Sequence, residues 1–273
     1  MKLIMSFKKR SITITFGDCA ENHKGMQMIG KEADRGYTIQ DLENAKNKFE
    51  QYGAICELVD LNTFLPADKK AQKAAVLVIR KGVDVLLSNG SKDALEKNSD
   101  SLFNDLVTLD WDTKAFMYGR VVNKHARYNL CFSENPQEPD YVSKKGRIIE
   151  YDRVPLLKQI REKLPTFLDG ADNLQGEGNF YYDVSKCGIG FHIDAERKKV
   201  VGVRLGASNP LHFQWYYNGE TIGERCVLHP EHGDIYIMSE FAKGTQWRKK
   251  DSCLLRHAAG CDKYTIIKKT NDK

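Results

Sequence analysis

The chain has 273 residues, 41% hydrophobic and 29% charged, with a net charge of +5. These values suit a globular protein with a substantial core and exclude disordered and collagen-like classes. No apolar run reaches the roughly 20 residues that a membrane helix needs, and the mild basicity is compatible with an anionic partner such as nucleic acid.

The first ten residues hold a short apolar start followed by a basic cluster. That order is wrong for a secretory signal, so no export is expected and a cytoplasmic or nuclear setting follows. The seven cysteines, Cys19, Cys56, Cys131, Cys187, Cys226, Cys253 and Cys261, are scattered and contain no CxxC pair. This argues against a disulfide framework and a zinc knuckle and for reduced, mostly buried thiols.

Residues 11–16, Ser-Ile-Thr-Ile-Thr-Phe, alternate and predict a strand. The segment 17–25 is polar and bounded by glycines, which predicts a surface loop. Thr38 followed by Asp41 predicts a capped helix running to Tyr52 and ending at Gly53. Residues 54–61 predict a strand. Residues 69–87 predict a helix passing into a strand at Val76–Ile79, and a polar stretch follows over 88–101. Together these pieces suggest an α/β unit over about 10–100, within an N-terminal region 1–110 of unassigned role that carries no chemical motif.

Residues 132–146 lack periodicity and predict a loop, whereas Leu156, Leu157, Ile160 and Leu164 have helical spacing after Pro155. From Asn179 onward, short β-rich segments alternate with turns, at 180–184, 200–205, 212–217, 225–228, 234–238, 254–258 and 264–268. That texture predicts an antiparallel sandwich or jelly roll, and an α+β class for the whole chain.

One constellation carries chemistry. His192 and Asp194 stand two apart, so in an extended segment both point to the same face and can reach one cation. His257, in a β-like segment ending at Gly260, is the best-placed third ligand; His212, His229 and His232 compete for the role. Two histidines and a carboxylate make the facial triad of non-haem Fe(II) oxygenases, which leaves three positions on the metal open.

The surroundings resemble the AlkB-like family of 2-oxoglutarate-dependent dioxygenases over residues 116–269. Phe116-Met-Tyr-Gly119 through Arg127-Tyr128 is similar to the family's lid segment, and Asn179-Phe-Tyr181 to its Asn-x-Tyr. His192-Ile-Asp194-Ala-Glu196 is similar to its His-x-Asp followed by an acid. Val203-Arg-Leu-Gly-Ala207 with His212-Phe-Gln-Trp215 is similar to its Ser-Leu-Gly-Ala and following aromatic strand, and Gly233–Met238 to its Gly-Asp/Ser-Leu-x-x-Met. The closing Arg-x-Asn-Leu-Thr-Phe-Arg is replaced by Lys263-Tyr-Thr265-Ile-Ile-Lys-Lys269, with lysines for both cosubstrate arginines.

The resemblance implies a double-stranded β-helix core over 111–273 and a divergent oxygenase that uses Fe(II), 2-oxoglutarate and O₂. It implies iron on His192, Asp194 and His257. Asn179, Tyr181, Lys263, Thr265 and Lys269 would hold the cosubstrate, and Lys263, Thr265 and Lys269 would share a strand face. Glu196, Arg127 and Tyr128 would meet the substrate, with Arg120 in the lid. Trp215, Tyr216, Tyr217 and Trp247 offer stacking surfaces, and Arg248-Lys-Lys250 a phosphate contact. The implied substrate is a base in single-stranded or flipped nucleic acid, hydroxylated or oxidatively demethylated. Hydroxylation of a protein side chain or small molecule is the alternative.

Overall fold

A computed structural model describes residues 9–88, 98–245 and 252–267. The architecture is α+β and rich in strands. One sheet has eight strands, in the order β4 (Ile55–Asp60), β5 (Ala75–Arg80), β15 (Ile235–Met238), β12 (Val200–Gly206), β1 (Ser11–Gly17), β10 (Gln175–Tyr181), β8 (Tyr128–Ser133) and β9 (Ile148–Glu150), and a second has four, in the order β11 (Gly188–His192), β16 (Leu254–Gly260), β13 (Leu211–Tyr217) and β14 (Glu220–Leu228).

The alternation of β1 (Ser11–Gly17) explains its central place. Ile12, Ile14 and Phe16 point into one apolar cluster, while Thr13 and Thr15 face the other side of the sheet. β1 pairs antiparallel with both β10 (Gln175–Tyr181) and β12 (Val200–Gly206). β4 (Ile55–Asp60) pairs with β5 (Ala75–Arg80), and β5 pairs with β15 (Ile235–Met238). Strands from the N-terminal region are therefore hydrogen-bonded into the sheet that carries β10, β12 and β15. The division drawn at residue 110 does not follow the strand pairing.

Helices cover one face of this sheet. α1 (Ile39–Gln51) starts at the expected capping box, in which the Thr38 hydroxyl accepts from the Asp41 amide and the Asp41 carboxylate accepts from the Thr38 amide. It buries Leu42, Ala45 and Phe49, and Phe49 stacks at 4.4 Å on Phe167 of the helix Pro155–Phe167. That second helix begins with Pro155 in its first turn, where the missing N–H has no intrahelical acceptor to lose.

The other face packs on the second sheet. Val76, Val78, Val200, Tyr236 and Met238 meet Leu211, Phe213 and Trp215 of β13 (Leu211–Tyr217) and Leu255 and Ala259 of β16 (Leu254–Gly260). β5 thus has apolar neighbours on both faces, which accounts for an unbroken buried run from Ala75 to Ile79.

Three expectations need correction. Residues 69–87 run strand first and helix second, with β5 followed by a short helix at Gly82–Leu87. Val76–Ile79 lie in the expected strand, with both faces buried, and it is the helix that follows the strand instead of preceding it. The loop expected at 17–25 contains β2 (Cys19–Glu21), paired with Met28–Gly30. The strand expected at 264–268 is instead a helical turn, Asp262–Thr265, packed on β11 (Gly188–His192) and β16. No helix among the described residues is long and apolar enough to cross a membrane.

Candidate metal centre

β11 and β16 pair antiparallel, and the pairing sets His192 directly opposite His257. The two imidazole centroids are 4.3 Å apart. Asp194 lies just past the end of β11. Its amide donates to the Lys243 carbonyl, and the Lys243 ammonium donates back to the Asp194 carbonyl at 2.8 Å, which ties down the turn. Gly244 makes that closure feasible: its φ of +89° suits glycine, and a Cβ there would come within 2.3 Å of the Ile193 side chain.

The three side chains converge. Asp194 Oδ1 is 3.4 Å from His192 Nε2 and 3.5 Å from His257 Nε2, and all three ligand atoms fall within 4.8 Å of one another. Metal–ligand bonds of roughly 2.1 Å at right angles put neighbouring ligand atoms about 3 Å apart, so the arrangement fits one face of an octahedron. His192 Nδ1 sits 2.8 Å from the Gly190 carbonyl, which makes Nδ1 the donor and leaves Nε2 free for a metal. Burial and the neighbouring His192 lower the His257 pKa despite the pull of Asp194, which keeps the ring in the neutral form that binds metals. Burial alone would raise the Asp194 carboxyl, yet His257 and His192 hold it well below the usual carboxylate range. His212, the rival third ligand, is on β13 opposite Val227 and outside this cluster.

The triad lines a cavity of about 890 Å³ between the two sheets. Asn179 is on its wall and accepts from Arg127 Nε at 2.5 Å and Asn129 Nδ2 at 2.8 Å. Tyr181 lines it as well. Glu196 stands at the same cavity, bound to Arg197 at 2.6 Å, and Arg197 also pairs with Glu177. Burial disfavours the Arg197 cation, but Glu177, Glu196 and Asp194 around it hold it firmly charged. Burial, and then repulsion from Asp194, raises the Glu196 carboxyl.

Other expected residues lie elsewhere. Tyr128 follows Arg127 in an extended segment and so points to the opposite face, where it stacks on Tyr182 at 4.7 Å. Lys263 is exposed and Thr265 is buried in the helical turn, its hydroxyl on the Cys261 carbonyl; neither reaches the cavity. A helical turn cannot hold residues 263, 265 and 267 on one face as a strand would. Trp215 is a core residue whose indole donates to the Leu61 carbonyl. Tyr216 is buried beneath Arg256, and Tyr217 lies under Lys69. Trp247, Arg248-Lys-Lys250 and Lys269 fall outside the described residues.

The sequence reading missed Arg204. It is 1% exposed and lines the cavity, yet its Nε has no hydrogen-bond partner. Its Nη1 donates to the Ser11 hydroxyl at 3.3 Å. The signal was present as a single arginine inside the apolar strand Val-Val-Gly-Val-Arg-Leu-Gly.

No family model matches the sequence. Among curated proteins, the chain is 49% identical over 261 residues to "Uncharacterized protein R156" of Acanthamoeba polyphaga mimivirus, spanning 94% of this chain and 98% of that protein. At that identity and coverage, the chain belongs to the same protein family as this mimivirus protein.

Proposed function

We propose that this protein is an Fe(II)- and 2-oxoglutarate-dependent dioxygenase that hydroxylates or oxidatively demethylates a nucleic-acid base. The observation that carries the reading is the convergence of His192, Asp194 and His257 at one point of the cavity. In this reading the two packed sheets are a double-stranded β-helix.

The donor set suits iron. The Asp194 carboxylate would offset half of the charge of Fe(II), and the two imidazoles would complete a three-residue donor set with room for further ligands. Bound iron, with 2-oxoglutarate and O₂, supplies the oxidising power to hydroxylate a C–H bond, and an N-methyl group so hydroxylated leaves as formaldehyde.

The chain's own residues orient and exclude. The Gly190 carbonyl fixes the His192 tautomer. Ile189, Leu211 and Met238 give the cavity apolar walls that keep water away. Arg197 stays paired with Glu177 and Glu196, so this carboxylate pair is held rigid beside the metal ligands for contact with a base edge.

A second cavity of about 900 Å³ supports a nucleic-acid substrate. Lys114, Arg120 and His125 line it, and it shares His23 and Arg127 with the metal cavity. Tyr118 stands at its hairpin tip, 88% exposed, as a stacking surface for an unpaired base. Cations along a groove that opens toward a reactive pocket suit a phosphate backbone with one base turned inward.

The test is anaerobic binding of Fe(II) and 2-oxoglutarate, then admission of O₂ and mass spectrometry of methylated oligonucleotides and of peptides. Loss of 14 mass units per methyl, or a gain of 16, on the oligonucleotide is the expected outcome. Turnover confined to peptides or metabolites would transfer the iron chemistry to another substrate.

A further inference from the structure

Two buried polar atoms without partners sit side by side in the metal cavity. Thr13 of β1 and Arg204 of β12 are direct cross-strand neighbours. Thr13 Oγ1 and Arg204 Nε are both buried and both lack a hydrogen bond, and both residues line the cavity. The other arginines on this cavity have identified contacts: Arg197 holds Glu196, Arg127 holds Asn179, and Arg256 lies over the Tyr216 ring. Among the described residues, no carboxylate forms an ion pair with Arg204.

We infer that Arg204 and Thr13 form an anion anchor in the cavity, and that they bind the far carboxylate of 2-oxoglutarate in place of the C-terminal lysines. The inference rests on the oxygenase reading for the identity of the ligand, whereas the anchor itself follows from the unpartnered pair.

The energetics favour an absent anion. A buried guanidinium without a counter-charge is strongly unfavourable, and a buried donor without an acceptor adds to the cost. A carboxylate relieves both. Its two oxygens accept from Nε–H and a terminal N–H of the arginine in the fork geometry that lysine cannot offer. The Thr13 hydroxyl supplies another donor.

Charge distribution directs an acid to this end of the cavity. The Glu177–Arg197–Glu196 cluster carries more negative than positive charge, so an anion is disfavoured there. A ligand that reaches both the metal and Arg204 needs an acidic group at each end and a short spacer, which is the chemistry of an α-keto dicarboxylate. Lys263, by contrast, is an exposed residue with its ammonium over the Tyr264 ring.

Isothermal titration and thermal denaturation of the full chain test the anchor, with redox-silent Mn(II) in place of iron. Three titrants are used: 2-oxoglutarate, 2-oxopentanoate (which lacks the far carboxylate) and glutarate without metal. For Arg204→Met we expect about 100-fold weaker 2-oxoglutarate binding, and for Thr13→Val a loss of about three- to ten-fold. Mn(II) affinity should stay unchanged in both. Wild type should bind 2-oxopentanoate about 100-fold more weakly than 2-oxoglutarate, and Lys263→Ala should match wild type.

The ligand-free Arg204→Met protein should melt at or above the wild-type temperature, because it loses an unpaired buried charge; a merely structural arginine would lower it. Should Arg204→Met not fold, Arg204→Lys and the wild-type titrant series decide. Wild-type affinity for 2-oxoglutarate in the arginine variants, or equal binding of 2-oxopentanoate and 2-oxoglutarate, overturns the anchor. A failure of the oxygenase reading looks different: glutarate binding would still depend on Arg204, while Mn(II) and the triad would have no effect on 2-oxoglutarate.

Discussion

His192 and His257 face each other across a single antiparallel strand pair, and their Nε2 atoms stand 3.4 Å and 3.5 Å from the same oxygen of Asp194. Strand register alone positions the histidines, and the turn tied to Lys243 positions the carboxylate. A metal bound by these three side chains would tolerate little displacement, since the two histidines move only if the sheet does.

The third ligand is tested by a matched pair of variants. His257→Ala should weaken Fe(II) or Mn(II) binding at least about 100-fold, as should His192→Ala and Asp194→Ala, while His212→Ala should bind like wild type. Equilibrium dialysis against a graded metal series reads this directly. Normal metal affinity in His257→Ala together with a loss in His212→Ala would reassign the site.

Gly202 of β12 lies beneath the Tyr236 ring, and a Cβ there would come within 2.0 Å of it. Gly202→Ala should therefore push Tyr236 into the cavity and cost about 1–3 kcal/mol of stability, the usual range for overpacking. Urea denaturation measures the loss. An unchanged midpoint would mean that the ring has room to move aside.

The buried Lys124 ammonium donates to Asn22 and Asn129, at 2.8 Å and 2.9 Å. Burial lowers its pKa to about 8, against the opposing charge of Asp112. In the unfolded chain the lysine holds its proton to much higher pH, so between about pH 8 and the unfolded value the native state carries fewer protons and stability rises with pH. Below about pH 8 the lysine is charged in both states and the cost is fully present. Relative to Lys124→Met, wild type should gain on the order of 1–3 kcal/mol between about pH 7 and pH 10. Parallel pH profiles for the two proteins would contradict this.

The cationic groove predicts salt-sensitive binding. Single-stranded oligonucleotide affinity should fall steeply with salt, and Lys114→Gln with Arg120→Gln should reduce the log–log slope by roughly 1 to 1.5. Fluorescence anisotropy over a salt series checks the slope. Weak, salt-independent binding in wild type would remove nucleic acid as the partner.

Much of this was legible where the pattern is local. The alternation of residues 11–16 gives β1, Thr38 and Asp41 give the start of α1, and the His-x-Asp pair gives two of the three side chains that converge with His257. What depends on distant neighbours was not. Val76–Ile79 form the expected strand, but its order with the helix of this segment is reversed, since only the packing of both its faces on distant residues sets it in the sheet ahead of Gly82–Leu87. Residues 264–268 carry a β-branched run that predicts a strand, but residues 262–265 form a helical turn packed on β11 and β16. Arg204 was passed over for the same reason: its significance lies in Thr13 across the strand pair and in an Nε without a hydrogen-bond partner, and neither fact is local in sequence.

Anaerobic titration of 2-oxoglutarate into the Fe(II)-loaded protein, followed by admission of O₂ and quantitation of succinate and CO₂, tests the central claim most directly. The account predicts saturable binding that requires Fe(II), one succinate and one CO₂ per 2-oxoglutarate consumed, and loss of both binding and turnover in Asp194→Ala. Binding of 2-oxoglutarate that is indifferent to Fe(II) and to Asp194→Ala, with no succinate formed after O₂ is admitted, would contradict it.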